Sequence, residues 1–276
     1  MAENKSNLDN FLLYLKNRKS EQTVLAYQTD LLQFLRYIGG AELETVESKH
    51  IDSFLSSLQL SRKSLARKLS ALSSFFRFLK KQGVRKDIPT EEVERFTIPK
   101  RMPDFLSEQE IKRLHQVEPI RDLTMIELLL STGIRVSELC SINKWSLDFE
   151  TRQIKVIGKG DKERLVMFSG YCSQVLKAYL TTREDDNEAL FVNRKSQRMS
   201  RNSVEYRISK IGKQYLGRHL YPHLLRHTFA TYLLDKGATL PDVQRLLGHE
   251  SLAVTSIYVH PTGDMRARYD RAIEQI

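Results

Sequence analysis

Between Asp87 and Asp104 the chain carries Pro89, Pro99 and Pro103 and few large apolar residues. Residues that precede proline are pushed out of the helical region, so the stretch reads as an extended connection between domains. It divides the 276 residues unequally. Residues 1–86 are expected to form one domain, 87–104 a linker, and 105–276 a second domain with a C-terminal tail.

The first part has helical spacing throughout. Leu8, Phe11, Leu12 and Leu15 recur at that period, as do Val24, Tyr27, Leu31, Phe34, Leu35 and Ile38, predicting helices over 7–19 and 21–38. Ser20 is placed to cap the second, and Gly39-Gly40 to end it. A shorter helix is expected over about 48–58, with Ile51, Phe54, Leu55 and Leu58 inward. A fourth begins near Ser61, carries Leu65, Leu69, Leu72, Phe76 and Leu79 on one stripe, and stops at Gly83.

That fourth helix belongs to a one-signed stretch. From Ser53 to Lys86 there are nine basic residues and no acidic one: Arg62, Lys63, Arg67, Lys68, Arg77, Lys80, Lys81, Arg85 and Lys86. A solvated helix face usually interleaves glutamate with lysine, and this one does not. With a net charge of +10 the stretch points to a polyanion. Arg62, Lys63, Arg67, Lys68 and Arg77 are the residues expected on DNA phosphates.

The second part opens on a capping box, Ser107-Glu108-Gln109-Glu110. Helices are expected over 111–116 and 120–131, with Gly133 as the break before Arg135. The period then changes: 153–157 and 164–168 are β-type runs, read as a hairpin with Lys159 in or beside its turn. Beyond it the chain is helical again, over about 170–182, 203–216, 222–236, 241–247 and 251–258, with a short final helix over 265–276. The fold class expected is mainly α with a small β-hairpin or sheet. No internal repeat or low-complexity segment appears.

Composition excludes several classes. No apolar run approaches the roughly 18–20 residues of a membrane span, and the first residues lack the apolar core of a secretory signal. Cys140 and Cys172 are too few for a disulfide framework or a cysteine-based zinc site. A reducing compartment, the cytoplasm, is expected.

Six residues carry chemistry when taken together: Arg135, Lys159, His223, Arg226, His249 and Tyr258. Cleaving a phosphodiester needs a nucleophile, charge neutralisation on the non-bridging oxygens, a proton for the leaving oxygen, and fixed geometry. Arginine binds two phosphate oxygens with its planar fork and stays charged, so Arg135 and Arg226 suit the second task. Tyrosine with its free pKa of about 10 is a weak nucleophile unless nearby cations favour the phenolate and a histidine takes the proton. A covalent phosphotyrosine would conserve bond energy, so religation would need neither metal nor nucleotide. Singly, each residue has a duller reading: a surface arginine, a turn lysine, a half-buried tyrosine. His223 and His227 have the spacing of a helical zinc pair, but the glutamate of HExxH is missing and Arg226 beside them would repel a cation. Gly158-Lys159-Gly160 is likewise no phosphate-binding P-loop.

The order and spacing of these segments resemble the tyrosine recombinase, or phage integrase, family, and closely its Xer branch. The matching text is Thr132-Gly133-Ile134-Arg135-Val136-Ser137-Glu138-Leu139, then 158–164 around Lys159, then His223-Leu224-Leu225-Arg226-His227. It ends with Leu247-Gly248-His249 and Ile257-Tyr258-Val259-His260. The resemblance implies a two-domain clamp on duplex DNA, a helical core-binding domain plus an α+β catalytic domain, with no cofactor and no metal. By that resemblance Tyr258 is the nucleophile that forms a 3′-phosphotyrosine, and Arg135 and Arg226 bind the scissile phosphate. Lys159 protonates the leaving oxygen, His223 is the acid–base partner, and His249 donates to the phosphate. Glu138 and His227 match positions that look supportive. The implied partners are an inverted-repeat DNA site, three further protomers (identical, or shared with a second recombinase), and an activating protein. The tail after Tyr258 matches a segment that docks on a neighbouring protomer, and from sequence it could equally cap its own chain. The likeness departs at Met167, where the Xer branch commonly has proline.

The role expected is resolution of chromosome or plasmid dimers by strand exchange. An integrase or resolvase of a mobile element would use the same chemistry, though no extra arm-binding domain precedes residue 7, which argues against a lambda-type integrase. A type IB topoisomerase would share the residues without assembling a tetramer. A non-catalytic regulator could use 222–236 and 241–247 as a helix-turn-helix, but would have no need of Lys159 and Tyr258.

Overall fold

The computed structural model describes residues 2–97, 104–158 and 163–248, and they fall into two compact units that divide at Lys100. The N-terminal unit holds four helices: α1 (Ala2–Lys16), α2 (Glu21–Tyr37), α3 (Ser48–Ser56) and α4 (Arg62–Lys81). Single 3-10 turns stand at Leu43–Thr45 and Pro89–Glu91. Serine starts two of the helices as expected. Ser20 accepts from the Thr23 N–H and Ser61 from the Ser64 N–H, each relieving one of the donors a helix start leaves unpaired.

The apolar stripes converge on a core of aromatic rings. Phe11, Phe34, Phe54, Phe75 and Phe76 are fully buried, with Phe34 edge-on to Phe54 and tilted contact between Phe11 and Phe75. Phe75 and Phe78 lie outside the stripe read from the sequence, because the core meets α4 across a wider sector than one row of leucines. The segment after α4 departs from the extended linker expected at residue 87. Pro89 is buried in the 3-10 turn and Val93 belongs to the same core, so the chain stays tied to this unit.

The second unit opens with the capping box: the Ser107 hydroxyl accepts from the Glu110 N–H, and the Glu110 carboxylate from the Ser107 N–H at 2.8 Å. It continues through α5 (Glu108–Leu114), α6 (Ile120–Thr132) and α7 (Val136–Ser141). Buried on nearly every side, α6 packs against both α8 (Gly170–Thr181) and α10 (Pro222–Asp235). Three antiparallel strands lie in the order β1 (Leu147–Asp148), β2 (Gln153–Ile157), β3 (Glu163–Met167), one strand more than the expected hairpin. Val156 pairs with Arg164 and Gln153 with Met167. Ile154, Val156 and Val166 face the core, whereas Leu165 and Met167 point outward. The last described helices are α9 (Arg201–Ile211), which ends in a π turn, and α10 and α11 (Leu240–Leu247). The helices expected over 251–258 and 265–276 lie outside the described residues, as do the hairpin turn and residues 98–103 of the linker. Among the described residues no helix is long and apolar enough to cross a membrane.

Candidate active site

Of the six residues singled out for chemistry, Arg135, His223 and Arg226 are described, while Lys159, His249 and Tyr258 lie outside the described residues. The three come from two elements. Arg135 is the cap residue of α7, and His223 and Arg226 sit in the first turns of α10. What joins Arg135 and Arg226 is the end of α11.

Three consecutive carbonyls there, of Leu246, Leu247 and Gly248, accept from three different arginines. Arg164 donates through Nε to Leu246 at 3.3 Å, Arg226 through Nη2 to Leu247 at 2.7 Å, and Arg135 through Nη2 to Gly248 at 3.3 Å. A helix end exposes unpaired carbonyls with a partial negative charge, which is where cations are favoured. Gly248 closes α11 in the left-handed conformation with φ 64. The chain then leads directly to His249.

Arg226 is 3% exposed and also donates to the Gly133 carbonyl at 2.5 Å. It therefore spans from the end of α6 to the end of α11. Gly133 holds φ 62, and a Cβ there would stand 2.3 Å from Phe229 Cδ1 and 2.8 Å from Leu247 Cδ2. The break that the sequence places before Arg135 is thus a requirement of packing as well as of backbone conformation.

Glu138 fixes the other arginines. Its carboxylate accepts from the Arg135 backbone N–H at 2.7 Å and from Arg135 Nη1 at 3.1 Å. It also accepts both Nη groups of Arg164, at 2.7 and 2.9 Å. Burial alone would raise its pKa, but the Arg164 hydrogen bond, the Arg135 N–H and both guanidinium charges hold it below the usual carboxylate value. Glu138 is ionised and fully satisfied.

His223 is exposed, with its imidazole pushed below the ordinary value by partial desolvation and then by Arg226, Arg201 and Arg135, against a small opposing pull from Glu205. Solvent at its open face screens those charges, yet all three push the same way. The ring is therefore neutral near pH 7 and able to accept a proton.

Sequence reasoning passed over Arg164 and Arg201. Arg164 stands in a matched segment, but strand alternation left undecided whether Arg164 and Val166 or Leu165 and Met167 face inward. Arg201 opens α9 and pairs with Glu205 at 2.7 Å, with no motif to mark it.

The residues expected on DNA phosphates divide differently. Arg62, Lys63, Arg67 and Arg77 are exposed on α4. Lys68 is a correction: it is 4% exposed, and its ammonium is bonded to Asp30 at 2.7 Å and Gln33 at 2.6 Å. A charge so enclosed needs its partner within the fold, which removes it from the phosphate-facing set. Arg67 also pairs with Asp30 from the exposed side. Arg85, in the same basic run, is likewise buried and bonded to the Leu43 carbonyl and to Asp87.

Comparison with known proteins adds lineage to this geometry. Residues 104–264 match the phage integrase family, and residues 8–83 match the N-terminal SAM-like domain of phage integrases. Tyrosine recombinase XerC of Oceanobacillus iheyensis is 38% identical, with 93% of this chain and 92% of the relative covered. XerC of Staphylococcus aureus is 37% identical over 91% of each. Among solved structures, the XerA recombinase is 30% identical with a TM-score of 0.58, covering 97% of this chain and 98% of that one. The XerH site-specific recombinase, bound to a palindromic difH substrate in a post-cleavage complex, is 25% identical with a TM-score of 0.77. That alignment covers 92% of this chain and 80% of XerH.

Proposed function

The chain belongs to the phage integrase family and is a site-specific tyrosine recombinase of the Xer type, and from that premise we propose how its residues divide the chemistry. Tyr258 Oη attacks the scissile phosphorus and the bond to the 5′ oxygen breaks, leaving a 3′-phosphotyrosine. Neutral His223 takes the tyrosine proton, and Lys159 gives one to the departing 5′ oxygen. Arg135 and Arg226 neutralise the non-bridging oxygens, with His249 as a further donor. Rejoining is the reverse, with a 5′-hydroxyl from another strand as the attacking group. None of these steps calls for a metal or a nucleotide.

The observation that carries the reading is the convergence of Arg135 and Arg226 on the residues that lead into His249. Two arginines from α7 and α10 face one short segment, as a phosphate clamp requires. The helical N-terminal unit is proposed to hold the core DNA and the second unit to cut it. The substrate is proposed to be an inverted-repeat site, bound by four protomers on two sites, either identical or shared with a second recombinase. An activating protein and a cytoplasmic setting belong to the same proposal, and dimer resolution is favoured over a mobile-element role by the XerC relatives.

The test is a denaturing gel of the protein with nicked suicide duplexes that carry candidate dimer-resolution sites from its source genome, with Tyr258→Phe alongside. A covalent band that the mutant loses supports the assignment and identifies the cut site. A band that survives in Tyr258→Phe assigns the nucleophile elsewhere.

A further inference from the structure

The three arginines that reach the carbonyls ending α11 are not equivalent. Arg135 has 34% of its side chain exposed and gives Nη2 to Gly248 at a long 3.3 Å. Arg164 has 16% exposed, and three of its five N–H donors are committed within the fold. Nη1 and Nη2 go to the Glu138 carboxylate at 2.7 and 2.9 Å, and Nε goes to the Leu246 carbonyl at 3.3 Å. An arginine so engaged has little left for a phosphate. What it holds is a carboxylate and a helix end.

Both of those contacts lead toward the candidate active site. Each oxygen of Glu138 takes one donor from Arg164 and one from Arg135: Oε1 the two Nη1 groups, Oε2 the Arg164 Nη2 and the Arg135 backbone N–H. A shift of Arg164 is therefore passed to Arg135 through the carboxylate. On its other side the Arg164 guanidinium lies against Gly248, where an added Cβ would stand 3.2 Å from Nε and 3.3 Å from Cζ. Gly248 makes its left-handed turn directly beside Arg164, with bare backbone where another residue would carry a side chain. One side chain thus touches the anion that aims Arg135 and the helix end that leads to His249.

We propose that Arg164 is a positioning residue for strand cleavage, fixing the spacing between Arg135 of the phosphate clamp and the α11 end that leads to His249. It touches no reacting atom. The proposal rests on the reading of Arg135 as a phosphate ligand and adds to it a link between the clamp and the helix end. A misplacement of about 1 Å at reacting groups costs about 10²-fold in rate, so a link of this kind is worth keeping rigid. A residue that merely held the fold together would slow cleavage of every substrate alike.

Single-turnover cleavage of the nicked suicide duplex is compared with cleavage of the same duplex carrying a methylphosphonate at the scissile position. A methyl group in place of one non-bridging oxygen removes the negative charge that Arg135 neutralises. Each variant is melted, and titrated with the native duplex, in parallel. Arg164→Lys keeps a charge beside Glu138 but loses the fork and the reach to Leu246. It is expected to keep its DNA affinity and to cleave the native duplex about 10²-fold more slowly. On the methylphosphonate, Arg135→Ala is expected to match the wild type. Arg164→Lys should recover only part of its loss there and stay about tenfold slow, because the α11 end is still unheld. Arg164→Gln, a second variant without the charge, should give the same ordering with larger losses. Full recovery of Arg164→Lys means that it acts through Arg135 alone, and equal loss on both substrates means a structural pin. Either result overturns the proposal, as does near-normal cleavage of the native duplex. If Arg135→Ala itself cleaves the native duplex at the wild-type rate, the clamp reading fails and the proposal falls with it.

Discussion

Glu138 and Arg164 meet through both carboxylate oxygens and both terminal guanidinium nitrogens, at 2.7 and 2.9 Å. The pair bolts β3 to α7, and the same carboxylate orients Arg135. A bidentate pair of this kind is directional as well as strong. Its effect reaches the candidate phosphate clamp through Arg135.

Replacing Glu138 by Gln leaves Arg164 and Arg135 facing each other with no anion between them. Uncompensated buried charge costs about 3–5 kcal/mol, less whatever the amide recovers. A drop in melting temperature is expected, together with a loss of covalent adduct of about 10²-fold or more, since an unpositioned donor at a phosphate loses that much. Near-normal cleavage would show that Arg135 needs no such positioning. Because the folded pKa of Glu138 is depressed, its contribution is complete above the unfolded value of 4.5 and fades as pH falls through the folded value.

Gly133→Ala should be among the more damaging single-methyl changes in the chain. The left-handed backbone costs an alanine about 1–2 kcal/mol, before the clash with Phe229 and Leu247 is counted. The Gly133 carbonyl is also a partner of Arg226, so cleavage should fall further than stability predicts. Gly39→Ala is the control, with φ 62 but open space around it. Equal losses at the two sites would remove the packing argument.

Arg226→Lys preserves the charge and removes the fork. A lysine ammonium cannot reproduce the two separate reaches to Gly133 and Leu247. Most cleavage activity is expected to disappear at unchanged DNA affinity, read by the suicide-substrate gel beside a binding titration. Retained cleavage would rule out the clamp.

Lys68 and Arg77 should separate stability from binding. Lys68→Ala leaves Asp30 buried with only the exposed Arg67 as partner, so it should lower stability by about 3 kcal/mol with little change in the salt slope. Arg77→Ala should do the reverse, reducing the slope by about one at unchanged melting temperature. The opposite pattern would put Lys68 back on the DNA.

Glu127 makes stability depend on pH near neutrality. Burial raises its carboxyl to about 7, and the nearest histidine nitrogen, His115 Nε2, stands 3.4 Å away outside hydrogen-bond geometry. His115 is itself shifted down by burial, so near pH 7 the contact is no ion pair. A raised carboxylate stabilises fully below the unfolded value of 4.5, and that contribution is lost as pH rises to about 7. Melting temperature should therefore decline across that window and level off above it, by up to about 3 kcal/mol in free energy. Glu127→Gln should flatten the decline, and an unaltered profile would exclude Glu127 as its source.

Much of the fold is legible in local patterns, because helices that bury one face repeat their apolar residues at the helical period. The stripes through Phe11, Phe34, Phe54 and Phe76, the caps at Ser20, Ser61 and Ser107, and the break at Gly133 all follow from that arithmetic. The candidate set Arg135, His223 and Arg226 is legible in another way, because phosphate chemistry selects residue types and the segments that carry them resemble a family. Charge is where the pattern failed. Lys68 and Arg67 are adjacent in a run of like residues, and nothing local distinguishes the one that Asp30 draws inward from the one left in solvent.

Residue types, helical periods and the six candidate residues for phosphodiester chemistry are read from the chain alone. Tertiary structure decided which face of β3 turns in, making Arg164 a partner of Glu138 and leaving Leu165 and Met167 outside. It decided that Val93 ties the segment after α4 to the N-terminal core, and that three arginines share the carbonyls ending α11. The reason is physical: a period of two or of 3.6 says which residues share a face, but not what that face will meet. Only packing supplies the partner, and for a buried charge the partner determines what the residue can do.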